Sequence, residues 1–235
     1  MNVVVTGGTG ALGGAVVAAL LERGDTVHLP MMEAELPAHL RHERVRATPR
    51  VSLDDEAQVA AFYGALPSLW ASIHLVGGFA MAPIETTTLA DFEHQWRLNT
   101  VTCFLTCREA VKAMRKSGGA GDGASQRTLA SGGRIVNVAA RPVVSPVSGM
   151  LSYVVAKAGV AAITQNLAAE VAGDGILVNA VLPSIIDTPA NRASMPKADY
   201  DKWPKPAELA KTIGFLSSRE NSLTSGSLVP VYGRA

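Results

Sequence analysis

Val3-Val4-Val5-Thr6-Gly7-Gly8-Thr9-Gly10-Ala11-Leu12-Gly13-Gly14 is the stretch that decides the fold. A β-branched apolar run ends in a cluster of glycines. An Ala/Val/Leu pattern of helical period follows, runs to Arg23 and stops at Gly24. The reading is strand, tight turn, helix. Glycines in such a turn let the backbone come close to a pyrophosphate, and the helix N-terminus offers free N–H groups and a partial positive charge. The spacing is Gly7-x-x-Gly10-x-x-Gly13, which differs from the usual G-x-G-x-x-G fingerprint. A glycine-rich turn alone is unspecific, because tight turns use glycine for many reasons; the strand–helix context gives it weight.

Downstream the same alternation continues. Thr26 to Leu29 reads as a second strand, Glu33 to Arg41 as a short helix, and Val45 to Ala47 as a third strand. Ser52 followed by Asp55 has the form of a capping box for a helix to about Leu66. Leu69 to Val76 reads as a fourth strand. Thr88 and Asp91 open a long helix ending near Lys116. Residues 117–133 are rich in Gly, Ser and Ala and read as a flexible loop. Arg134 to Ala139 is a fifth strand, Ser152 to Ala172 a long helix, Leu177 to Leu182 a sixth strand, Ala207 to Ser217 a helix, and Leu228 to Val231 a last strand. This order predicts an α/β fold: a Rossmann-type, doubly wound parallel sheet of about seven strands with helices on both faces. Ligands in that architecture sit beyond the carboxyl ends of the strands.

With 235 residues the chain is expected to form a single domain, 1–235, able to bury a full core. A formal net charge of +1 gives no reason to expect nucleic acid or an anionic membrane as a partner. The apolar opening lacks the cationic leader and long apolar core of a signal peptide. No run has the length of a membrane span. Cys103 and Cys107 form no disulfide framework, which fits a reducing cytoplasm. Spaced i, i+4, they read as small buried or interface thiols in preference to a redox or metal pair, since no other ligands accompany them in sequence.

The second informative stretch is Ser152-Tyr153-Val154-Val155-Ala156-Lys157. Tyr153 and Lys157 are four apart, hence on one helix face. An ammonium beside a phenol favours the phenolate and would lower the tyrosine pKa from about 10. A tyrosine so tuned passes protons to or from a substrate oxygen near neutral pH. Alone, the same pair is also compatible with an ordinary surface contact.

Taken with the motifs around it, the sequence resembles the short-chain dehydrogenase/reductase family over essentially its whole length. The matching pieces run in the family's order: the Thr6-to-Gly13 turn, Val76-Gly77, Leu98-Asn99, Gly133 to Val138, Tyr153-x-x-x-Lys157-Ala158-Gly159, Val178-Asn179-Ala180-Val181 and Pro183 to Pro189. The resemblance implies an NAD(P)-dependent oxidoreductase. In it Gly7, Gly10, Leu12 and Gly13 would hold the pyrophosphate, and Gly77 would line the adenine-ribose side. Asn99 would bend the long helix and position a water in a proton relay. Tyr153 would be the general acid/base, and Lys157 would bind the nicotinamide ribose and tune Tyr153. Ile186 and Thr188 would contact the nicotinamide carboxamide. It also implies a small-molecule substrate, a short substrate lid at 189–206, and a homodimer or homotetramer built on the helices at 88–116 and 152–172.

Three positions depart from the family pattern. The catalytic serine is expected about thirteen residues before the tyrosine, and that position is Ala140. Three accounts stay open: Ser145 or Ser148 substitutes for it, the substrate does not need it, or ordinary carbonyl reduction has been lost. The dihydropteridine reductase branch is similar in lacking this serine and in its Gly-x-Gly-Ala-Leu-Gly string, here Gly8 to Gly13. At the end of the second strand, where NAD enzymes place an acid, stands Met31. Arg41, His42, Arg44, Arg46 and Arg50 follow. NADP or NAD is therefore expected, with a slight lean to NADP because nothing adjacent repels a 2′-phosphate. At the end of the fourth strand, His74-Leu75-Val76-Gly77 replaces the family's Asn-Asn-Ala-Gly, and His74 reads as structural. Two rivals stay open beside a general oxidoreductase: a quinonoid reductase of the dihydropteridine type, and a catalytically degenerate dinucleotide-binding regulator, a reading motivated by Ala140.

Overall fold

Residue period explains how the sheet is built. Val3 and Val5 pack with Val16, Val17 and Leu20 on one face, while Val4 packs with Val59, Leu105 and Val111 on the other. An alternating strand buried on both sides is the mark of a parallel sheet sandwiched by helices. The computed structural model describes residues 1–117 and 132–234, so most of the expected loop at 117–133 lies outside the described residues.

Seven parallel strands lie in the order β3-β2-β1-β4-β5-β6-β7. They are β1 Asn2–Thr6, β2 Thr26–Pro30, β3 Val45–Thr48, β4 Ala71–His74, β5 Arg134–Val138, β6 Leu177–Pro183 and β7 Leu228–Val231. The seven helices are α1 Ala11–Glu22, α2 Glu56–Gly64, α3 Leu89–Trp96, α4 Thr102–Ser117, α5 Leu151–Glu170, α6 Pro189–Ser194 and α7 Pro206–Leu216. Helices α1 and α7 cover one face; α2, α4 and α5 cover the other. The strand order reverses between β1 and β4, which opens a crevice at their carboxyl ends.

Four local expectations are corrected. The helix expected from Glu33 to Arg41 is a single 3-10 turn, Ala38–Leu40. Pro37 precedes it, and the residue before a proline is pushed out of the α region. Helix α2 is capped by Asp55, whose carboxylate accepts from the N–H groups of Ala57 (2.9 Å) and Gln58 (3.0 Å), three residues beyond the expected Ser52. The strand expected from Leu69 to Val76 keeps only Ala71–His74, so Leu75 to Gly77 is loop at the crevice. The long helix does open with the Thr88–Asp91 capping box. It is then interrupted by a π turn, Arg97–Val101, and α4 follows.

Candidate active site

The glycine turn adopts the close-approach geometry its sequence implies. Gly7 has φ +68°, a conformation natural to glycine. A Cβ on Gly13 would lie 2.1 Å from the Gly7 carbonyl oxygen, so only glycine fits where α1 crosses the turn. Gly10 is the N-cap of α1 with ordinary backbone angles and no side-chain cap, which leaves the first N–H groups of the helix facing the crevice opening. Leu12 packs into the core behind them.

A cleft of about 350 Å³ runs from this turn along the strand ends, between Gly7 and Thr9, Met31 to Glu33, Asp54, Val76 and Leu98. Glu33 was not anticipated here. Its carboxylate accepts a hydrogen bond from the Thr9 hydroxyl (2.8 Å), tying the segment after β2 to the glycine turn. The premise that no acid stands near the second strand's end is thus corrected. The basic run lies elsewhere: Arg41, His42, Arg44, Arg46 and Arg50 do not line the cleft. Arg44 instead donates to the carbonyl of Leu21 (2.9 Å), and Arg46 to that of Val45 (3.2 Å). The sequence signal for Glu33 was its place two residues beyond Met31; a count along the strand could not show that the chain turns there.

The deeper half of the site converges on Gly77. A Cβ there would stand 2.6 Å from Asn99 Oδ1 and 2.8 Å from Lys157 Nζ. Glycine at 77 therefore lets two polar groups from two helices meet the loop after β4. Asn99, fully buried in the π turn, makes a two-way contact with the next residue: Gly78 N–H donates to Asn99 Oδ1 (3.2 Å), and Asn99 Nδ2 donates to Gly78 O (3.1 Å). Nδ2 also donates to Gln95 O (3.0 Å), the carbonyl that the backbone N–H of residue 99 would take in a regular α-helix. The expectation that Asn99 bends the long helix holds in this form. Gln95, absent from the sequence reading, is its support.

Lys157 is buried, and its ammonium donates to the Val138 carbonyl at the end of β5 (2.9 Å). Burial brings its pKa down to about 8. Tyr153, one turn earlier on α5, packs edge-on against Phe79 with ring centroids 5.1 Å apart. Burial pushes its phenol up to about 12. This corrects the expected lowering by Lys157: no hydrogen bond joins the two side chains, because the ammonium is engaged by Val138. In this state the phenol stays protonated across the neutral range.

Ala140 is buried, in extended backbone just past β5. Ser145 and Ser148 are exposed on the loop that follows. Thr188 caps α6, its hydroxyl accepting from Asn191 N–H (3.2 Å), while Asn191 Nδ2 donates to Ile186 O (2.8 Å). In the segment expected as a lid, Trp203 is buried, with its ring 5.0 Å from that of Tyr200.

His74, read as structural, is buried and bonded to side chains. Its ring bonds Ser72 Oγ (2.8 Å) and Asn137 Oδ1 (2.8 Å), and Cys107 Sγ lies 3.5 Å from its Nδ1. The two cysteines are therefore accompanied after all. The hydrogen bond between them holds the Cys103 thiol low and pushes the Cys107 thiol up.

A sequence model of the short chain dehydrogenase family matches residues 1–199. The chain belongs to that family. A 3-beta-hydroxysteroid dehydrogenase of Comamonas testosteroni is 30% identical over 245 residues, covering 95% of this chain and 91% of its own. A levodione reductase of Leifsonia aquatica is 27% identical, covering 98% of this chain and 92% of its own. A crystal structure of levodione reductase superposes with a TM-score of 0.86 at 26% identity, covering 99% of this chain and 96% of the other. As a short-chain dehydrogenase, the protein is an NAD(P)-dependent oxidoreductase acting on a small molecule. Among the described residues, no helix is long and apolar enough to cross a membrane.

The residues present fit such a cofactor. The Gly7–Gly13 turn brings bare backbone to one end of the cleft, the Thr9 hydroxyl and the Glu33 carboxylate line the cleft beside it, and the Asn99 amide oxygen and the Lys157 ammonium stand against the bare backbone of Gly77.

Proposed function

We propose that the protein reduces a carbonyl, or oxidises the corresponding alcohol, with Tyr153 as the general acid/base. The observation that carries this reading is the convergence of Asn99 Oδ1 and Lys157 Nζ on Gly77, with Lys157 one helical turn from Tyr153. A bound nicotinamide supplies or accepts the hydride. The chain's own residues handle position and protons. Gly7, Gly10, Leu12 and Gly13 would hold the pyrophosphate, Gly77 would line the adenine-ribose side with bare backbone, and Ile186 and Thr188 would meet the carboxamide. Tyr153, held protonated by burial, donates its proton to the substrate oxygen in the reductive direction. The Lys157 ammonium turns from Val138 O to the ribose hydroxyls and stabilises the phenolate left behind. Asn99 positions the water that returns the proton.

Glu33 favours NAD over NADP. A carboxylate beside the ribose accepts from a 2′-hydroxyl and repels a 2′-phosphate, and Arg41, Arg44, Arg46 and Arg50 do not line the cleft to offset it. The substrate is apolar. Phe79 stands against Tyr153, and Phe79, Met81, Val147 and Ile185 expose apolar surface on the segments that follow the strand ends. The relatives act, by their names, on a hydroxysteroid and on levodione. Residues 189–206 would close over the substrate. Exposed Phe104, Leu151 and Val155 on α4 and α5 support a homodimer or homotetramer packed on these helices. Two free, buried cysteines suit a reducing cytoplasm.

The test is Tyr153→Phe assayed with NADH against a panel of apolar cyclic ketones. Turnover should fall by about 10²–10⁴-fold while NADH still binds. Turnover at the wild-type rate would remove Tyr153 from the chemistry.

A further inference from the structure

Directly behind the catalytic floor lies a second constellation that carbonyl reduction does not use. His74 ends β4, while Cys103 and Cys107 are one turn apart on the buried face of α4. Their ligand atoms all lie within 4.8 Å of one another, and all three residues are buried. Cys103 Sγ and Cys107 Sγ are 4.0 Å apart, and Cys107 Sγ is 3.5 Å from His74 Nδ1. A fourth polar atom completes the group. Asn137 Oδ1, on β5, is 3.5 Å from Cys107 Sγ and 2.8 Å from His74 Nδ1.

The sulfur–sulfur and sulfur–nitrogen separations resemble the edges of a coordination tetrahedron, whereas the 2.8 Å from His74 Nδ1 to Asn137 Oδ1 is a hydrogen bond that loading would open to a nitrogen–oxygen edge of ~3.4 Å. With metal–sulfur bonds of about 2.3 Å and metal–nitrogen bonds of about 2.05 Å, tetrahedral zinc sets sulfur–sulfur edges near ~3.8 Å and sulfur–nitrogen edges near ~3.5 Å. The supporting contacts a ligating histidine needs are also present. His74 Nε2 faces Ser72 Oγ (2.8 Å), which bonds the Tyr63 hydroxyl (2.8 Å), so the ring can donate from Nε2 and leave Nδ1 free to ligate. Asn137 Nδ2 donates to Thr164 Oγ1 (2.9 Å), which turns its oxygen towards the cysteines. Charge closes as well. Two thiolates with a neutral imidazole and a neutral amide make a divalent ion's site uncharged overall, the form a dry core tolerates.

We propose that His74, Cys103 and Cys107, with Asn137 Oδ1 as the fourth donor, form a tetrahedral site for a thiophilic divalent cation, Zn²⁺ in the first instance. Loading exchanges the two thiol protons for the cation and moves the imidazole proton from Nδ1 to Nε2. No oxidant or reductant takes part. The site clamps three elements that carry the catalytic floor. Cys103 follows Asn99 by one turn, His74 precedes Gly77 by three residues, and Asn137 precedes Val138, whose carbonyl holds Lys157. A cation there fixes β4, β5 and α4 relative to one another without touching the substrate.

The test is Co²⁺ titration of the reduced, full-length protein, added to the native state and also present during refolding so that burial cannot block entry. The chain has only two cysteines, so any thiolate-to-cobalt band reports this site. The expected result is one Co²⁺ per chain, with near-ultraviolet charge-transfer absorption and the visible bands of a tetrahedral centre, bleached by one equivalent of Zn²⁺. Cys107→Ser and His74→Asn should each weaken Zn²⁺ binding at least about a hundredfold. A folded wild-type protein with no such absorption under either protocol overturns the proposal, and leaves the cluster as a hydrogen-bonded core network. The wild-type spectrum decides the matter even where a variant fails to fold. It is also independent of whether any ketone is turned over.

Discussion

Asn99 and Gly78 hold each other by a reciprocal pair of hydrogen bonds, amide oxygen to N–H at 3.2 Å and amide nitrogen to carbonyl at 3.1 Å. One side chain from the π turn thereby fixes the loop after β4, and with it Gly77. The asparagine is fully buried, so the pair forms in a poorly solvated interior where an orphaned backbone group is costly. Asn99→Ala leaves the Gly78 N–H and carbonyl without these partners. It should destabilise the fold by about 2–4 kcal/mol and weaken nicotinamide binding at least tenfold. Urea unfolding and a nicotinamide titration check both; unchanged binding in a destabilised variant would separate Asn99 from the site.

Lys157 is a buried cation whose pKa falls to about 8 in the folded protein, against an ordinary lysine value of 10.5. Above 10.5 both states are neutral and burial carries no charge penalty. As the pH falls from 10.5 to 8 only the unfolded chain takes up the proton, so stability is lost across that window and stays at its lower level below 8. Lys157→Met removes that penalty and one hydrogen bond to Val138. The variant should be more stable than wild type by about 1–3 kcal/mol at pH 7, with the gap closing between pH 8 and 10.5. It should also be inactive. Melting temperatures of both proteins across pH 6.5–10.5 measure this; a gap that ignores pH would contradict it.

Glu33 is hydrogen-bonded to Thr9 at the mouth of the cleft. Glu33→Gln keeps the bond and removes the charge. The ratio of NADP⁺ to NAD⁺ dissociation constants should fall by about tenfold, chiefly through tighter NADP⁺, as expected from losing about 1.4 kcal/mol of repulsion. Isothermal titration with each cofactor gives the ratio. No change would place the ribose away from Glu33.

Ala140 stands buried where the family pattern has a serine hydroxyl. If the substrate oxygen is held by Tyr153 without a second donor, restoring one should help. Ala140→Ser should raise kcat on a simple ketone by about 10–100-fold, somewhat less than the full worth of an oxyanion donor because the surrounding packing was not selected around it. A fall in kcat would mean that another group already occupies that role.

The fold was legible because its signals are periodic. Val3 to Val5, the glycine turn and the Ala/Val/Leu run of α1 each have one physical reading, and the later strands repeat it. What escaped was set by tertiary geometry. Pro37 cut the expected 33–41 helix to one turn, and Glu33 lies in the cleft outside any helix. Position 31 is where a residue count puts the ribose acid; the carboxylate arrives two residues later. The Tyr153–Lys157 pair was correctly placed on one helix face, yet its electrostatics were misread, since spacing says nothing of burial or of the Val138 carbonyl that takes the ammonium. Cys103 and Cys107 lacked visible ligands because their partners, His74 and Asn137, come from β4 and β5, distant in sequence from α4.

The central claim is that the Gly7–Gly13 turn, Glu33 and Gly77 with its neighbours Asn99 and Lys157 form one nicotinamide dinucleotide site. The most direct test is a fluorescence titration of the purified protein with NADH and, separately, NADPH. The account predicts saturable binding of one NADH per chain, in the micromolar range or tighter, with NADPH weaker by about tenfold or more. Binding of neither would contradict the account and leave a fold that has lost its cofactor.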